Sequence, residues 1–279
     1  GGVRYTEQTI PSIINSGLVV NDVDSTNISG AVIRISSGFT AGDTLSFANT
    51  INIAGIWNFR TGTLTLNGDA PVAEYQTALR SITYSSSSDN PTAISDTRSI
   101  SWTVSDGQTI NASAISTINV DGVNDVPIVQ VDSDTSLYTI FTTPVIINPD
   151  LTIIDADSAT LIGATVFISG DFKDGDVLSF INQNGITSAY DSSSGVLTLS
   201  GIASVANYQD ALNSISYSGT TVGSGSRSIA WAVDDGSLSN NLSAPSTTTI
   251  EVKNVNLGSV IEDVYTAAGR SVVTGQLNF

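Results

Sequence analysis

Arg98-Ser99-Ile100-Ser101-Trp102-Thr103-Val104 places Ile100, Trp102 and Val104 at alternate positions with small polar residues between them. A period of two puts all three on one face of a β-strand and turns Ser101 and Thr103 to the other. The phrase returns 129 residues later as Arg227-Ser228-Ile229-Ala230-Trp231. A strand that is apolar on one face needs a second layer to cover it, so this motif predicts packed sheets, built twice in one chain.

The rest of the sequence extends both observations. Asp22-Val23-Asp24-Ser25 recurs as Asp155-Ala156-Asp157-Ser158, an offset of 133. The same offset carries Gly42-Asp43-Thr44-Leu45-Ser46-Phe47 onto Gly175-Asp176-Val177-Leu178-Ser179-Phe180, and Val72–Leu79 onto Val205–Leu212. The drop from 133 to 129 predicts a shorter loop before the Arg227 strand in the second copy. Ile33 and Ile35, Leu45 and Phe47, Leu64 and Leu66, and Ile82 and Tyr84 all alternate with other residues, as half-buried strands do. Asn184-Gly185 predicts a type I′ hairpin. Val72, Tyr75 and Leu79 instead share one face of a short helix, with Pro71 near its first turn. The expectation is an all-β chain of tandem, immunoglobulin-type antiparallel sandwiches, each with one short helical crossover. The repeats span residues 1–126 and 127–256, and 257–279 form a strand-forming tail, either the start of a third module or a docking strand.

Composition limits the chemistry. The chain has 279 residues, no Cys, His or Met, and a formal charge of −17. Thiol and imidazole nucleophiles, Cys/His zinc sites and disulfide staples are thereby excluded. The charge disfavours nucleic acid and anionic membranes and favours divalent cations. No apolar run approaches a membrane span. The opening Gly1-Gly2-Val3-Arg4 is not a signal peptide, and the chain reads as a piece of something longer.

Between the copies lies Asp121-Gly122-Val123-Asn124-Asp125-Val126-Pro127, rich in oxygen ligands. Such residues also build ordinary turns, so composition alone leaves a turn and a ligand stretch both open. This linker, together with Leu178-Ser179-Phe180, Asn184-Gly185-Ile186, Gly195–Leu199 and Val205–Gln209, resembles the cadherin-like tandem repeats of bacterial secreted surface proteins, notably repeats-in-toxin-type adhesins. The resemblance implies a calcium-binding, non-catalytic extender module at the cell surface. Its partners would be neighbouring repeats or identical subunits end to end, and other domains would meet any surface or glycan ligand. It also implies a Ca²⁺ ligand set of Glu7; Asp121, Asn124 and Asp125; Asp155 and Asp157; and Asp235 with Asp234 beside it. In the cadherin pattern one residue separates the first two linker ligands, whereas two separate Asp121 from Asn124.

Internal comparison adds an asymmetry. At the offset of 133, Glu7 falls on Ile140, and the second linker, Lys253-Asn254-Val255-Asn256-Leu257-Gly258, lacks the acids of the first. Asp22, Asp24 and Asp106 are expected to face a module ahead of residue 1. Asp22/Asp24 and Asp155/Asp157 also match a glycosidase acid/base pair by type, but catalytic pairs rarely duplicate with their scaffold. Trp102 and Trp231 are expected in core or edge packing rather than as sugar platforms, and Trp57, set opposite Ala189 or a near neighbour, is an unpaired aromatic open to exposure. The alternative to a spacer is a filament or surface-layer subunit whose tail donates a strand to a neighbour.

Overall fold

The alternating rows fold as strands in a computed structural model describing residues 2–108 and 113–254, plus the backbone of 262–266 and 269–273. The chain divides into two units, Gly1–Val123 and Asn124–Phe279, the division falling three residues ahead of the expected boundary after residue 126.

The first unit runs β1 (Val3–Thr6), β2 (Ser12–Ile13), β3 (Asn27–Ser37), β4 (Asp43–Ser46), β5 (Ala54–Asn58), β6 (Thr63–Pro71), α1 (Val72–Arg80), β7 (Thr83–Ser86), β8 (Thr97–Ser105) and β9 (Ala114–Asp121). Its larger sheet has the order β1-β9-β8-β3-β6-β5 and its smaller sheet β2-β7-β4. The second unit runs β10 (Ile128–Gln130), β11 (Ser136–Thr139), β12 (Val145–Ile146), β13 (Thr152–Ile154), β14 (Thr160–Gly170), β15 (Asp176–Ser179), β16 (Thr187–Asp191), β17 (Val196–Ser204), α2 (Val205–Asn213), β18 (Ser216–Gly219), β19 (Gly225–Asp234) and β20 (Ser246–Lys253). Its sheets are β11-β20-β19-β14-β17-β16 and β12-β18-β15, with β10-β13 as an added pair. In the tail, β21 (Glu262–Thr266) and β22 (Gly269–Val273) form an antiparallel hairpin. The remainder of that stretch, with 255–258 of the second linker, lies outside the described residues.

Each unit is thus an immunoglobulin/cadherin-like sandwich with one helical crossover. The pairing is not antiparallel throughout: β1 joins β9, and β11 joins β20, in parallel. A parallel pair needs a long crossover. Here the intervening strands of each unit supply it, because a strand near the start of the unit pairs with the one that closes the sandwich.

Ile33, Ile35, Leu64, Leu66, Ile100 and Trp102 fill the first core, and Val166, Ile168, Leu197, Leu199, Ile229 and Trp231 the second. Both tryptophans are buried and donate their indole N–H, Trp102 to Ser116 Oγ at 3.0 Å and Trp231 to Thr248 Oγ1 at 2.9 Å. The helices bury Tyr75, Ala78 and Leu79, and Tyr208, Ala211 and Leu212. Asn184 and Gly185 adopt φ of 52° and 79°, the left-handed pair that a two-residue hairpin requires. Trp57 corrects the expectation. It pairs with Leu64 as Tyr190 pairs with Leu197, so its counterpart is Tyr190, the neighbour of Ala189. Both rings are half-buried against their cores, which binds Trp57 to packing rather than to an exposed platform.

A charged pair crosses each core. Arg98 and Asp43 are both fully buried, joined Nε to Oδ2 at 2.7 Å; Arg227 and Asp176 repeat the bond at 2.6 Å. Tyr84 donates to Asp43 Oδ1 and Tyr217 to Asp176 Oδ1, each at 2.6 Å. Burial, followed by the carboxylate beside it, pushes both phenols well above their ordinary pKa. Thr40 N–H adds a bond to Asp43 Oδ2, and Lys173 N–H one to Asp176 Oδ2.

Removing one partner strands a buried charge, so Arg98→Ala or Asp43→Ala should each destabilise the first unit by about 3–5 kcal/mol. The double variant should lose much less than the sum, because neither charge is then left alone. Urea unfolding of the four proteins measures this; additive losses would show that the pair is not coupled.

Candidate metal centre

Each unit carries acids at its ends. In the first, Glu7 follows β1 and is only 2 % exposed. Its backbone N–H donates to Asp121 O, and its Oε2 accepts the N–H of Val123 at 2.8 Å. Gln8 then turns into the left-handed region at φ 61°, as Phe141 does at 62° after Ile140. Ile140 is equally buried and makes the equivalent backbone bond to Lys253 O. Glu7 therefore places a carboxylate where the same fold accepts an isoleucine. Burial disfavours that charge, so it needs compensation.

Asp89 lies beside it, with a carboxylate oxygen within 4.8 Å of one of Glu7. Sequence comparison missed Asp89, since it sits in the loop that is shorter in the second copy and has no partner to be compared with. That loop is held from inside: Arg98 donates Nη2 to Pro91 O and Nη1 to Ser95 O, each at 2.6 Å. Asp121 behaves differently. Its carboxylate meets the exposed Arg4 guanidinium at 3.1 Å, an assignment that the sequence reading did not foresee.

In the second unit, Asp155 begins the loop after β13. Its Oδ1 accepts the N–H groups of Asp157 at 3.2 Å and Ser158 at 2.7 Å, a tight Asx turn that fixes both acids. Asp157 Oδ2 accepts the N–H of Asp125 at 3.3 Å. The other oxygens, Asp155 Oδ2 and Asp157 Oδ1, are shut off from solvent and have no hydrogen-bond partner among the described residues. Desolvation raises the Asp157 carboxyl above its ordinary pKa; the Asp125 N–H opposes this, and the charges of Asp155 and Asp125 reinforce it.

Asp235 is 8 % exposed, one residue past β19, accepting Ser237 N–H on Oδ1 and Asn124 Nδ2 on Oδ2, both at 2.8 Å. Asn124 is locked into this loop, donating also to the carbonyls of Ser239 and Asn240 while its Oδ1 accepts Ser237 Oγ at 2.6 Å. Asp234 belongs to the opposite face of the alternation and accepts Gly236 N–H and Asn241 Nδ2. Asp125, Asp155 and Asp157 are thus brought together, Asp235 and Asn124 join through the linker, and Asp121 and Asp234 are engaged elsewhere.

Asp22, Asp24 and Asp106 repeat the cluster in the first unit, with oxygens within 4.8 Å of one another. There Ser25 and Asp24 N–H bonds hold the Asp22 carboxyl below its usual range. The donors of the second-unit group are all oxygen, as hard cations demand, and two of them are buried without a donor. These residues fit a divalent cation.

No family profile matches the sequence. The chain is 41 % identical over 91 residues to halomucin of Haloquadratum walsbyi, a match covering 30 % of this chain and 1 % of that protein. Among solved structures it is similar to mouse cadherin-23 EC22-24 (12 % identity, TM-score 0.30, covering 91 % of this chain and 64 % of the other). It is also similar to the cadherin-like domains of zebrafish RET (11 %, TM-score 0.27, covering 89 % and 46 %) and the D00-D0 domain of intimin (13 %, TM-score 0.29, covering 88 % and 95 %).

The raised Asp157 carboxyl sets a pH dependence. A folded-state pKa above 3.8 means that the folded protein holds its proton longer, so metal-free stability falls as pH rises from 3.8 through the raised value. In chelator, Asp157→Asn should melt higher than the natural protein at neutral pH, with the difference vanishing near pH 3. Melting curves across this range check it, and a lower melting temperature for the variant at neutral pH would contradict the charge crowding.

Proposed function

We propose that this chain is a calcium-stiffened, non-catalytic extender segment of an extracellular surface protein. The observation that carries the reading is the pair of buried, donorless carboxylate oxygens on Asp155 and Asp157, beside the linker residue Asp125. Ca²⁺ takes six to eight oxygens, more than one loop offers, and several acids converging from distant positions are what such a cage needs. Chain connectivity supports a contribution from Glu7 and Asp89. Glu7 is bonded to the N–H of Val123, and Asn124 and Asp125 follow directly.

The asymmetry between the linkers supports it further. Where the first unit has Glu7, the second has Ile140, and Lys253, paired at 3.7 Å with Glu251, stands at the second linker. An ammonium there repels a cation across a screening length of about 8 Å in physiological salt. The extracellular setting and the absence of catalysis rest on the repeat design, the missing His and Cys, and the similarity of one stretch to halomucin. Identical subunits or neighbouring repeats are the expected partners.

Titrating Ca²⁺ into chelated protein should raise the unfolding free energy as RT ln(1 + [L]/Kd), about 2.7 kcal/mol at a hundredfold excess over Kd. Asp125→Ala should remove most of this gain while both units stay folded. Small-angle scattering should show the 279-residue chain stiffening with Ca²⁺. Melting unchanged by Ca²⁺, or scattering identical in chelator, would sink the reading.

A further inference from the structure

The two units differ in how one edge of the core is covered. In the second, β10 lies antiparallel to β13, pairing Ile128 with Ile154 and Gln130 with Thr152, and buries Val129 to 3 % exposure. Residues 19–21 of the first unit are the counterpart of β13. Gln76 Oε1 accepts the N–H of Val20 at 3.1 Å, as Gln209 Oε1 accepts that of Ile153 at the same distance. Yet among the described residues no strand pairs with 19–21, and Val19 is 64 % exposed. Beside them is a cavity of about 310 Å³ lined by Leu18, Val20, Ile28, Leu79, Trp102 and Val104.

We propose that this groove is the seat of one extended strand of the Asn124–Gln130 type, joined ahead of β1 as β10 is joined ahead of β11 in the second unit. Four observations favour that occupant. The second unit shows the filled form of the same groove, with Ser246 Oγ donating to Val129 O; its counterpart, Ala114, lines the open one. The open backbone edge at 19 and 21 matches the register by which 152 and 154 take β10. Asp22 and Asp106 line the cavity, as Asp155 and Asp235 stand where Asn124-Asp125 enters in the second unit, so an occupant would bring its own Asn-Asp ahead of the strand. Finally, five residues separate Gln130 from Ser136, and β1 begins at Val3, so a strand joined there is within easy reach. A lone apolar edge is otherwise a template for aggregation.

The test joins a copy of the segment Asn124–Thr135 ahead of residue 1 of the full chain and is done in chelator, so that its outcome is independent of calcium. The added strand should raise the melting temperature of the first unit by about 5 °C or more and slow amide exchange at Val19 and Asn21 at least about tenfold. The same extension with Asp in place of the Val129 equivalent should do neither. No gain, or equal gain with the Asp version, would overturn the proposal.

Discussion

The pairing of Arg98 with Asp43, and of Arg227 with Asp176, joins the two sheets of each unit through the core. Asp43 lies on β4 of the smaller sheet and Arg98 on β8 of the larger, both without solvent contact. Two buried charges are costly to desolvate, and their mutual attraction offsets this only with good geometry and further hydrogen bonds. The bonds are present: a tyrosine hydroxyl, a backbone N–H and loop carbonyls complete the cluster. Tyr5 stacks edge-on against Tyr84 at 5.1 Å, and Tyr138 against Tyr217 at 5.2 Å, tying the parallel edge strand of each unit to the same cluster. A chain without disulfides thereby fixes how its sheets meet.

The acids depend on that cluster. In the first unit the Arg98 guanidinium gathers the loop before β8, and this loop carries Asp89 toward Glu7. Arg227 has the same core partner, but its loop is shorter and brings no acid. One buried arginine thus serves the sandwich in both units and shapes an acidic end in only one.

At the start of the second unit the constraint is electrostatic. Asp155 spends one oxygen on its own turn, and Asp157 spends one on Asp125, leaving the inward oxygens without donors. The counterpart Asp22 makes the same turn, its Oδ1 accepting the N–H groups of Asp24 and Ser25.

By itself the sequence determined most of the strands, the short helix carrying Val72, Tyr75 and Leu79, and the duplication, because period-two alternation and repeated phrases are local and survive without coordinates. It also placed both tryptophans in the core. It could not show the parallel edges or the Arg–Asp–Tyr clusters, since each joins residues distant in the chain. Nor could it sort the acids. Asp121 and Asp125 are four positions apart and equal in composition, yet the Asp121 carboxylate meets Arg4 whereas the backbone N–H of Asp125 donates to Asp157. Tertiary structure alone decided that, because charge compensation is a property of neighbours in space.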